Sequence, residues 1–402
     1  MAIYKVLFHP LEEYFFGEDG SFREGVSNAE YFITSRFFPS QTTVFGIIRY
    51  LNLLCLKDKG SYSQEEKELN NKTVGEKGFS IESAVSSNSE VQNFGIIKRM
   101  SSIFLHGYDL EDKVNRVYVT LPKDAKKHSK KDVRRYTSIL DEGKEMIMTP
   151  NGGKVIPSGY NAKKGLATGF ISIDAGISDA GELLQNELSV IEYPFEYVLK
   201  TGLKINRKVA KSKDMMDLTN PQDPMSSLFK KEYVRLKQES GEVEYSFGVY
   251  VEIENSEEEE VTKRMNRVVG MGLGGSLFSV RTSKIKEIEK KRLKNGLILN
   301  VDQIFENHVK KENILYCISP CYVSNPQDIL MKSEFASLDT VVNRPMNGGN
   351  IDDAWRKTKT LYRMMDSGSV LITKRVNEII KEFQKNGLQQ IGYNHYYLGG
   401  EI

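Results

Sequence analysis

The reading of the fold turns on Val268–Arg281, Val-Val-Gly-Met-Gly-Leu-Gly-Gly-Ser-Leu-Phe-Ser-Val-Arg. Gly270, Gly272, Gly274 and Gly275 crowd into six positions, which marks a backbone that turns sharply or is approached closely, since glycine enters positive φ without a steric penalty. On the N-terminal side, Ser256 and Glu259 form a capping box. Glu257–Glu260 and then Lys263, Arg264 and Arg267 complement the helix dipole. Val261, Met265, Val268 and Val269 recur at helical spacing, so a helix is predicted over 257–269 with Gly270 as its C′ glycine. Leu277–Arg281 is short, ends in β-formers and reads as a strand. The glycine stretch therefore joins a helix to a strand. Gly270, Gly272 and Gly275 satisfy G-x-G-x-x-G, but a dinucleotide site needs the strand first and the helix second, so no cofactor is expected. Two readings stay open: a tight connection without a ligand, or a loop whose bared amides meet a polyanion.

Working outward, Tyr245, Phe247, Val249, Val251 and Ile253 alternate with Ser246, Gly248, Tyr250 and Glu252, the strongest strand signal in the chain. Ile3–His9 is a first strand stopped by Pro10. Ser40 caps a helix over 40–56 whose buried face is Val44, Ile47, Ile48, Leu51, Leu54 and Cys55. Arg116–Leu121 and Phe170–Ile173 compete for a second core strand. The order is then βαββαβ, an α+β, ferredoxin-like (RRM-like) core spanning 1–281. Its insertions are 57–90 (polar), 122–165 (basic) and 200–235. Residues 282–402 form a second, smaller α+β domain, also read as ferredoxin-like, with a strand at Ile314–Ser319, a helix at Trp355–Met365, a strand at Ser369–Ile372 and a helix from Val376 closed near Gly387.

A net charge of +2 conceals an uneven distribution. Pro122–Arg135 carries seven Lys/Arg against two Asp, and Lys200–Lys213 carries six with no acid, so the rest of the chain is net acidic. Local basic segments suit a nucleic-acid footprint, although each is also compatible with a solvated loop. Aromatic residues are frequent in the loops at 11–23 and 31–39, as base platforms or as anchors to the core. Three cysteines without a C-x-x-C pair point to reduced thiols. The N-terminus does not read as a signal peptide and no run is long and apolar enough for a membrane span, so a cytoplasmic protein is expected. Walker A, H-E-x-x-H and G-x-S-x-G patterns are absent. Among five histidines without metal-ligand spacing, His395, between Tyr393 and Tyr396, is the one candidate base for a metal-independent ribonuclease. The residues argue against an enzyme.

Several stretches resemble one family. They are Pro10-Leu-Glu-Glu-Tyr-Phe-Phe-Gly-Glu-Asp-Gly-Ser-Phe, Phe38-Pro-Ser-Gln-Thr-Thr-Val-Phe-Gly-Ile-Ile-Arg, Thr201-Gly-Leu-Lys-Ile-Asn-Arg, Gly272-Leu-Gly-Gly-Ser-Leu-Phe, Asp366-Ser-Gly-Ser and Gly392-Tyr-Asn. In this order they are similar to the RAMP-type subunits of CRISPR effector complexes, and most to the third subunit of the type III-B (Cmr) module. The resemblance implies a non-catalytic, antiviral RNA-binding subunit that grips the 5′ tag of the CRISPR RNA and docks on the large polymerase-like subunit. It also implies contacts with other RAMP backbone subunits, target RNA met only indirectly, and a thumb-like insertion within 200–235. Gly17-Glu18-Asp19 stands where the family commonly has an Arg-Asp pair.

The expected RNA-binding residues are Ser40, Gln41, Thr42, Thr43, Gly46 and Arg49 on the first helix, and Lys98 and Arg99 beyond it. The thumb contributes Lys204, Arg207, Lys208 and Lys211; the glycine loop contributes Gly270, Gly272, Gly274, Gly275, Ser276 and Arg281. Tyr393, Asn394 and His395 close the set. A side chain added at Gly272 or Gly274 is expected to weaken RNA binding and leave the fold intact. The alternatives are a RAMP-type endoribonuclease using His395 and a scaffold that binds no RNA.

Overall fold

The alternating segment at 245–253 becomes the central strand of the molecule. A computed structural model describes residues 1–17, 32–55, 62–86, 91–127, 136–142, 146–147, 156–157, 165–185, 187–203, 228–237, 242–254, 258–272, 274–306, 313–343, 346–347, 356–357 and 361–399. In chain order the first half contains β1 (Ala2–Pro10), α1 (Gln41–Leu51), β2 (Ile97–Met100), β3 (Phe104–Asp109), β4 (Val114–Thr120), β5 (Phe170–Ser172), β6 (Phe195–Leu203) and β7 (Leu228–Leu236). β8 (Val243–Ile253), α2 (Glu258–Met265), β9 (Val268–Met271) and β10 (Ser276–Lys284) follow. β10 pairs with β1, β1 with β8, and β8 with both β2 and β3, all antiparallel. With α1 and α2 this is the fourth-first-third-second strand order of a split βαβ unit, a mixed α+β fold consistent with a ferredoxin-like core.

Two expectations need correction here. The second core strand is neither Arg116–Leu121 nor Phe170–Ile173; it is the interrupted pair β2 and β3. The first candidate lies mostly in β4 and the second in β5, which extend the sheet outward from β3. Lys98 and Arg99 break the apolar alternation of β2, and Ser101–Ser102–Ile103 leave the ladder. Ser101 keeps the sheet joined through its own groups: its N–H donates to the Tyr250 carbonyl at 2.8 Å, and its hydroxyl accepts the Tyr250 N–H at 2.9 Å. The second correction concerns 257–269. The helix stops at Met265, and Val268–Met271 pairs with Ser276–Ser279 as a β-hairpin. Gly270 is thus a strand residue, and the glycine stretch is a hairpin turn. Positions i, i+4 and i+8 on a helix coincide with i and i+8 on a turn-then-strand, so Val261 and Val269 are buried either way while Val268 is exposed. Asn266 secures the change of direction by accepting the Thr282 N–H at 2.6 Å.

The second half repeats the arrangement. β11 (Ile314–Cys317), α3 (Pro326–Lys332), β12 (Phe335–Ser337), β13 (Val370–Ile372), α4 (Val376–Phe383) and β14 (Tyr396–Leu398) run βαββαβ. Their sheet order is β12-β13-β11-β14, again with the third strand between first and second and the fourth beside the first. In both halves the longest excursion leaves between strands two and three. Of the helix expected at Trp355–Met365, Tyr362–Met365 is a strand, paired with Thr340–Asn343 and Cys321–Tyr322. Trp355 lies outside the described residues. The polar segment 57–90 contributes structure of its own: a capped helix at Gln64–Val74 and a short one at Ile81–Val85, with Val74, Ile81 and Ala84 buried.

Burial follows from the layering. Tyr4, Val6, Phe8, Phe247, Val249 and Val251 meet Val44, Phe45 and Ile48 of α1 and Val261 and Met265 of α2. The opposite face of the first sheet, with Ile3, Leu7, Val117, Val119 and Tyr250, meets Ile314, Tyr316, Val370 and Ile372 of the second. Leu315, Cys317 and Leu371, on the far face of the second sheet, bury Ile329 of α3 and Ile379, Ile380 and Phe383 of α4. The sheets therefore stand back to back between two helical layers, and β8 is buried on both faces, not on one as its alternation implies. At the edge of this layer Arg292 donates to both oxygens of Asp174, at 2.5 and 2.8 Å, and to the Asn115 carbonyl at 3.0 Å. Removing one partner strands the other charge in a buried site. Asp174→Ala is expected to lower stability by about 3–5 kcal/mol, whereas Asp174→Leu with Arg292→Met costs far less. Urea unfolding of the two variants, read against the parent chain, checks the difference.

Candidate nucleic-acid interface

The candidate surface is built from the N-terminal aromatic turn upward. Tyr14 exchanges both backbone hydrogen bonds with Val234 of β7, each at 2.9 Å, and its hydroxyl donates to the Phe37 carbonyl at 2.9 Å. Tyr14, Phe15 and Phe16 are all buried, so these loop aromatics anchor the turn to the core. Phe16 stacks on Phe278 of β10, and Phe16–Gly17 pairs with Ser35–Arg36. This turn is the junction between three features that lie far apart in sequence.

The first is the ribbon of β6 and β7, which pair antiparallel along their whole length from Phe195↔Leu236 to Leu203↔Leu228. Glu13 ties its base to the turn by an ion pair to Lys200 at 3.0 Å and another to Arg235. The hydrogen bond from Arg235, then that from Lys200, hold the Glu13 carboxyl down to about 2. Lys200 lies 4.7 Å from the Tyr233 ring and Lys231 lies 4.9 Å from the Phe15 ring. Sequence reading missed both strands of the ribbon, although Phe195, Tyr197 and Leu199 alternate as a strand should. The connecting residues carry Lys204, Arg207, Lys208 and Lys211, which lie outside the described residues.

The second feature is the glycine turn. Gly272, Gly274 and Gly275 have φ of +82°, +121° and +68°, values that L side chains adopt rarely. A Cβ at Gly272 would run into the Phe15 carbonyl oxygen and lie 3.0 Å from the Phe16 ring, whereas Gly274 and Gly275 face open space. The expectation that a side chain at Gly272 leaves the fold intact is therefore corrected: that glycine lets the turn close on Phe15. Gly270 is exposed in β9, Ser276 is buried at the start of β10 and Arg281 is exposed further along it.

The third is a groove of about 300 Å³ between Phe37, Phe38, Tyr193 and Tyr197 on one side and Ser40, Ser319, Pro320 and Tyr393 on the other. Phe37 has Phe195, Tyr197 and Tyr193 at ring distances of 4.8, 5.1 and 5.5 Å. The first turn of α1 opens here. Ser40 accepts the Thr43 N–H at 3.2 Å and meets the Thr42 and Thr43 hydroxyls at 3.0 and 2.8 Å. Burial pushes the Tyr393 hydroxyl up to about 12, while its hydrogen bond with Thr42 works the other way. Lys123 closes the groove, paired with Asp339 at 2.6 Å and Asp366 at 3.4 Å.

Other expected residues sit elsewhere or are occupied. Gln41 is buried, donating to the Ser101 and Ile391 carbonyls at 3.1 and 2.9 Å and accepting the Ile103 N–H at 3.1 Å. Gly46 is buried within α1. Arg49 donates to the Val74, Gly75 and Lys77 carbonyls at 3.0, 3.2 and 3.1 Å, and burial draws its guanidinium down to about 10. Lys98 pairs with Glu254 at 2.5 Å, and Arg99 lies at the far end of the first sheet. The Asn394 side-chain oxygen accepts the Tyr322 N–H at 2.8 Å. His395 is fully buried, its Nε2 3.0 Å from the Gln389 carbonyl, and desolvation lowers it to about 4. A base so placed has no route to a bound RNA, and the ribonuclease alternative loses the residue it rested on. Among the described residues no group of three His, Cys, Asp or Glu is placed to hold a metal, and no helix is long and apolar enough to cross a membrane.

Two outcomes follow. Gly272→Ala is expected to lower the thermal midpoint by several degrees, while Gly275→Asn, whose αL conformation asparagine tolerates in open space, leaves it nearly unchanged; calorimetry of both variants decides. His106 is likewise buried and lowered to about 3. Both histidines titrate lower in the folded than in the unfolded chain, so stability falls as pH drops from about 6.5 toward 4. At pH 5 each is expected to cost about 2 kcal/mol relative to pH 7.5, and replacing His395 by a neutral side chain of similar size flattens that slope in urea titrations.

The Cas_Cmr3 family model, described as a CRISPR-associated protein, matches residues 6–401. No curated protein matches the chain. Solved structures that overlay on it include a chain from type III-B Cmr-beta bound to cognate target RNA, at 12% identity and a TM-score of 0.46, covering 98% of this chain and 96% of that one. The same assembly with AMPPnP gives 11% identity and 0.45, covering 97% and 94%. A chain of the type III-A Csm3–Csm4 subcomplex gives 14% and 0.33, covering 92% of each.

Proposed function

The chain belongs to the Cas_Cmr3 family of CRISPR-associated proteins, and from that premise we propose that it is a non-catalytic RAMP-type subunit of a type III-B effector complex. In this reading it grips the 5′ tag of the CRISPR RNA, docks on the large polymerase-like subunit beside other RAMP subunits, and meets target RNA only through the guide. The observation that carries the reading is that the Tyr14–Phe16 turn touches the glycine turn through Phe15, the ribbon base through Tyr14 and Phe15, and, through the Tyr14 hydroxyl, Phe37 of the groove that Ser40 of the first turn of α1 also lines. Lysines on a ribbon, half-exposed tyrosines and turn glycines that face open space are complementary to phosphates and unstacked bases. Of the residues expected to bind, Ser40 lines the groove with Thr42 and Thr43 hydrogen-bonded to it, Gly274 and Gly275 face open space, and Tyr393 backs the groove with a ring that is already buried. Lys204, Arg207, Lys208 and Lys211 would extend it along the thumb.

The test is to isolate a tagged copy from its own cells and sequence the RNA that comes with it. A population sharing one 5′ end is expected; random fragments, or no RNA, would leave a scaffold that binds none. Tyr197→Ala is expected to weaken binding of that RNA by about 1–3 kcal/mol, with affinity falling steeply as salt rises. Filter binding at two salt concentrations reads both.

A further inference from the structure

A second groove, of about 790 Å³, opens at the other end of the first sheet, around Ile3 at the start of β1 and Glu252 near the end of β8. Pro10, at the opposite end of β1, pairs with Phe278 beside the glycine turn, so the stretch of β1 from Ile3 to Pro10, roughly 23 Å, separates this groove from the surface assigned to RNA. Its floor is apolar, with Ile3 and Leu297, and its rim carries Arg99, Glu252, Lys290 and Lys294. The two lysines have local partners: Lys290 lies 2.5 Å from Glu287 and Lys294 lies 2.6 Å from Asp302.

Arg99 and Glu252 are different. They are cross-strand partners in the β2–β8 register, a placement in which opposite charges ordinarily attract. No ion pair joins them, and neither carries a hydrogen-bond or ion-pair partner among the described residues. Arg99 instead reaches over the Asn295–Leu297 turn, where its Nη1 lies 3.6 Å from the position of a Cβ on Gly296. One edge of the groove thus offers a guanidinium and a carboxylate, side by side and uncommitted, above an apolar floor.

We propose that this groove docks a segment of a protein partner. That segment presents a carboxylate to Arg99, a cationic or amide donor to Glu252, and an apolar side chain to Ile3 and Leu297. A polypeptide supplies all three groups within a few residues. An RNA backbone satisfies Arg99 but is repelled by Glu252, and no aromatic ring among the groove's lining residues offers a base a stacking surface. Charges of both signs over an apolar centre are the composition of a specific interface, in which the charges choose the partner and the apolar contact holds it. The proposal stands whether or not the other end of the molecule binds RNA.

The test places the photo-crosslinker p-benzoylphenylalanine at Asn295, which is exposed, in the full tagged chain made in its own cells, and identifies the adduct by mass spectrometry. The expected adduct is one protein, joined through a peptide that holds an Asp or Glu within a few residues of the link. Arg99→Glu should cut its yield by about tenfold or more, and reversing the charge of that Asp or Glu in the partner should restore it. The co-purifying RNA should not change, and Arg99→Gln, which sets no like charge opposite Glu252, should lower the yield at an unchanged thermal midpoint; together these separate a failure of this proposal from a failure of the RNA reading. An adduct with RNA alone, no adduct, or an adduct indifferent to Arg99→Glu would overturn it.

Discussion

Gln41 sits in the first turn of α1, and one buried amide satisfies backbone groups from two remote segments: Ser101 and Ile103 in the first half, Ile391 in the second. The fit is close enough that a Cβ on Gly392, at φ +87°, would collide with the Gln41 amide and the Ser101 carbonyl. A buried amide left without its partners costs more than the bond is worth when made, so this junction fixes how the two halves meet. It also fixes where α1 begins, and with it the aromatic groove. Gln41 is therefore a positioning residue for that surface.

The two halves share one strand order, so their connections can be compared. Each has a glycine-bearing segment between its second helix and fourth strand. In the first half that segment folds out as β9 and a turn whose last two glycines face open space. In the second half it folds inward, and Tyr393, Asn394 and His395 wedge against α1 and the Cys321–Tyr322 strand. Equivalent positions have thus taken opposite tasks, one open to solvent and one closing the interior. The back-to-back sheets between them make β8 inaccessible from either face, which confines binding to the ends of the sheets and to the insertions.

What the sequence disclosed depended on whether the pattern was local. β1, α1 and β8 were legible because each keeps one period over seven residues or more, and Ser40 is an N-cap by chemistry alone. β13 is legible at Ser369–Ile372 despite its length, whereas β12 and β14, with three residues each, are too short to carry a period. β2 and β3 were hidden by Lys98, Arg99 and the Ser101 interruption, whose compensating bonds come from Tyr250 far along the chain. The glycine stretch is legible as a sharp turn but not as a hairpin, because valines at 268 and 269 fit a helix stripe and a strand equally. Arg49 and His395 looked like ligand-binding residues for want of any local sign that carbonyls of 74–77 and of Gln389 would claim them. The groove could not be foreseen, since Tyr193, Ser40, Lys123 and Tyr393 converge only once both halves are in place.

The central claim is that RNA lies along the surface running from the glycine turn to the first turn of α1, and that the equivalent segment of the second half is structural. Amide hydrogen exchange of the chain with and without the RNA it co-purifies with tests this most directly. The account predicts slowed exchange across 35–43, 195–203 and 274–281, with 391–395 already protected and unchanged by RNA. Protection that spares the glycine turn and the ribbon, or that first appears at 391–395 on RNA binding, would contradict it.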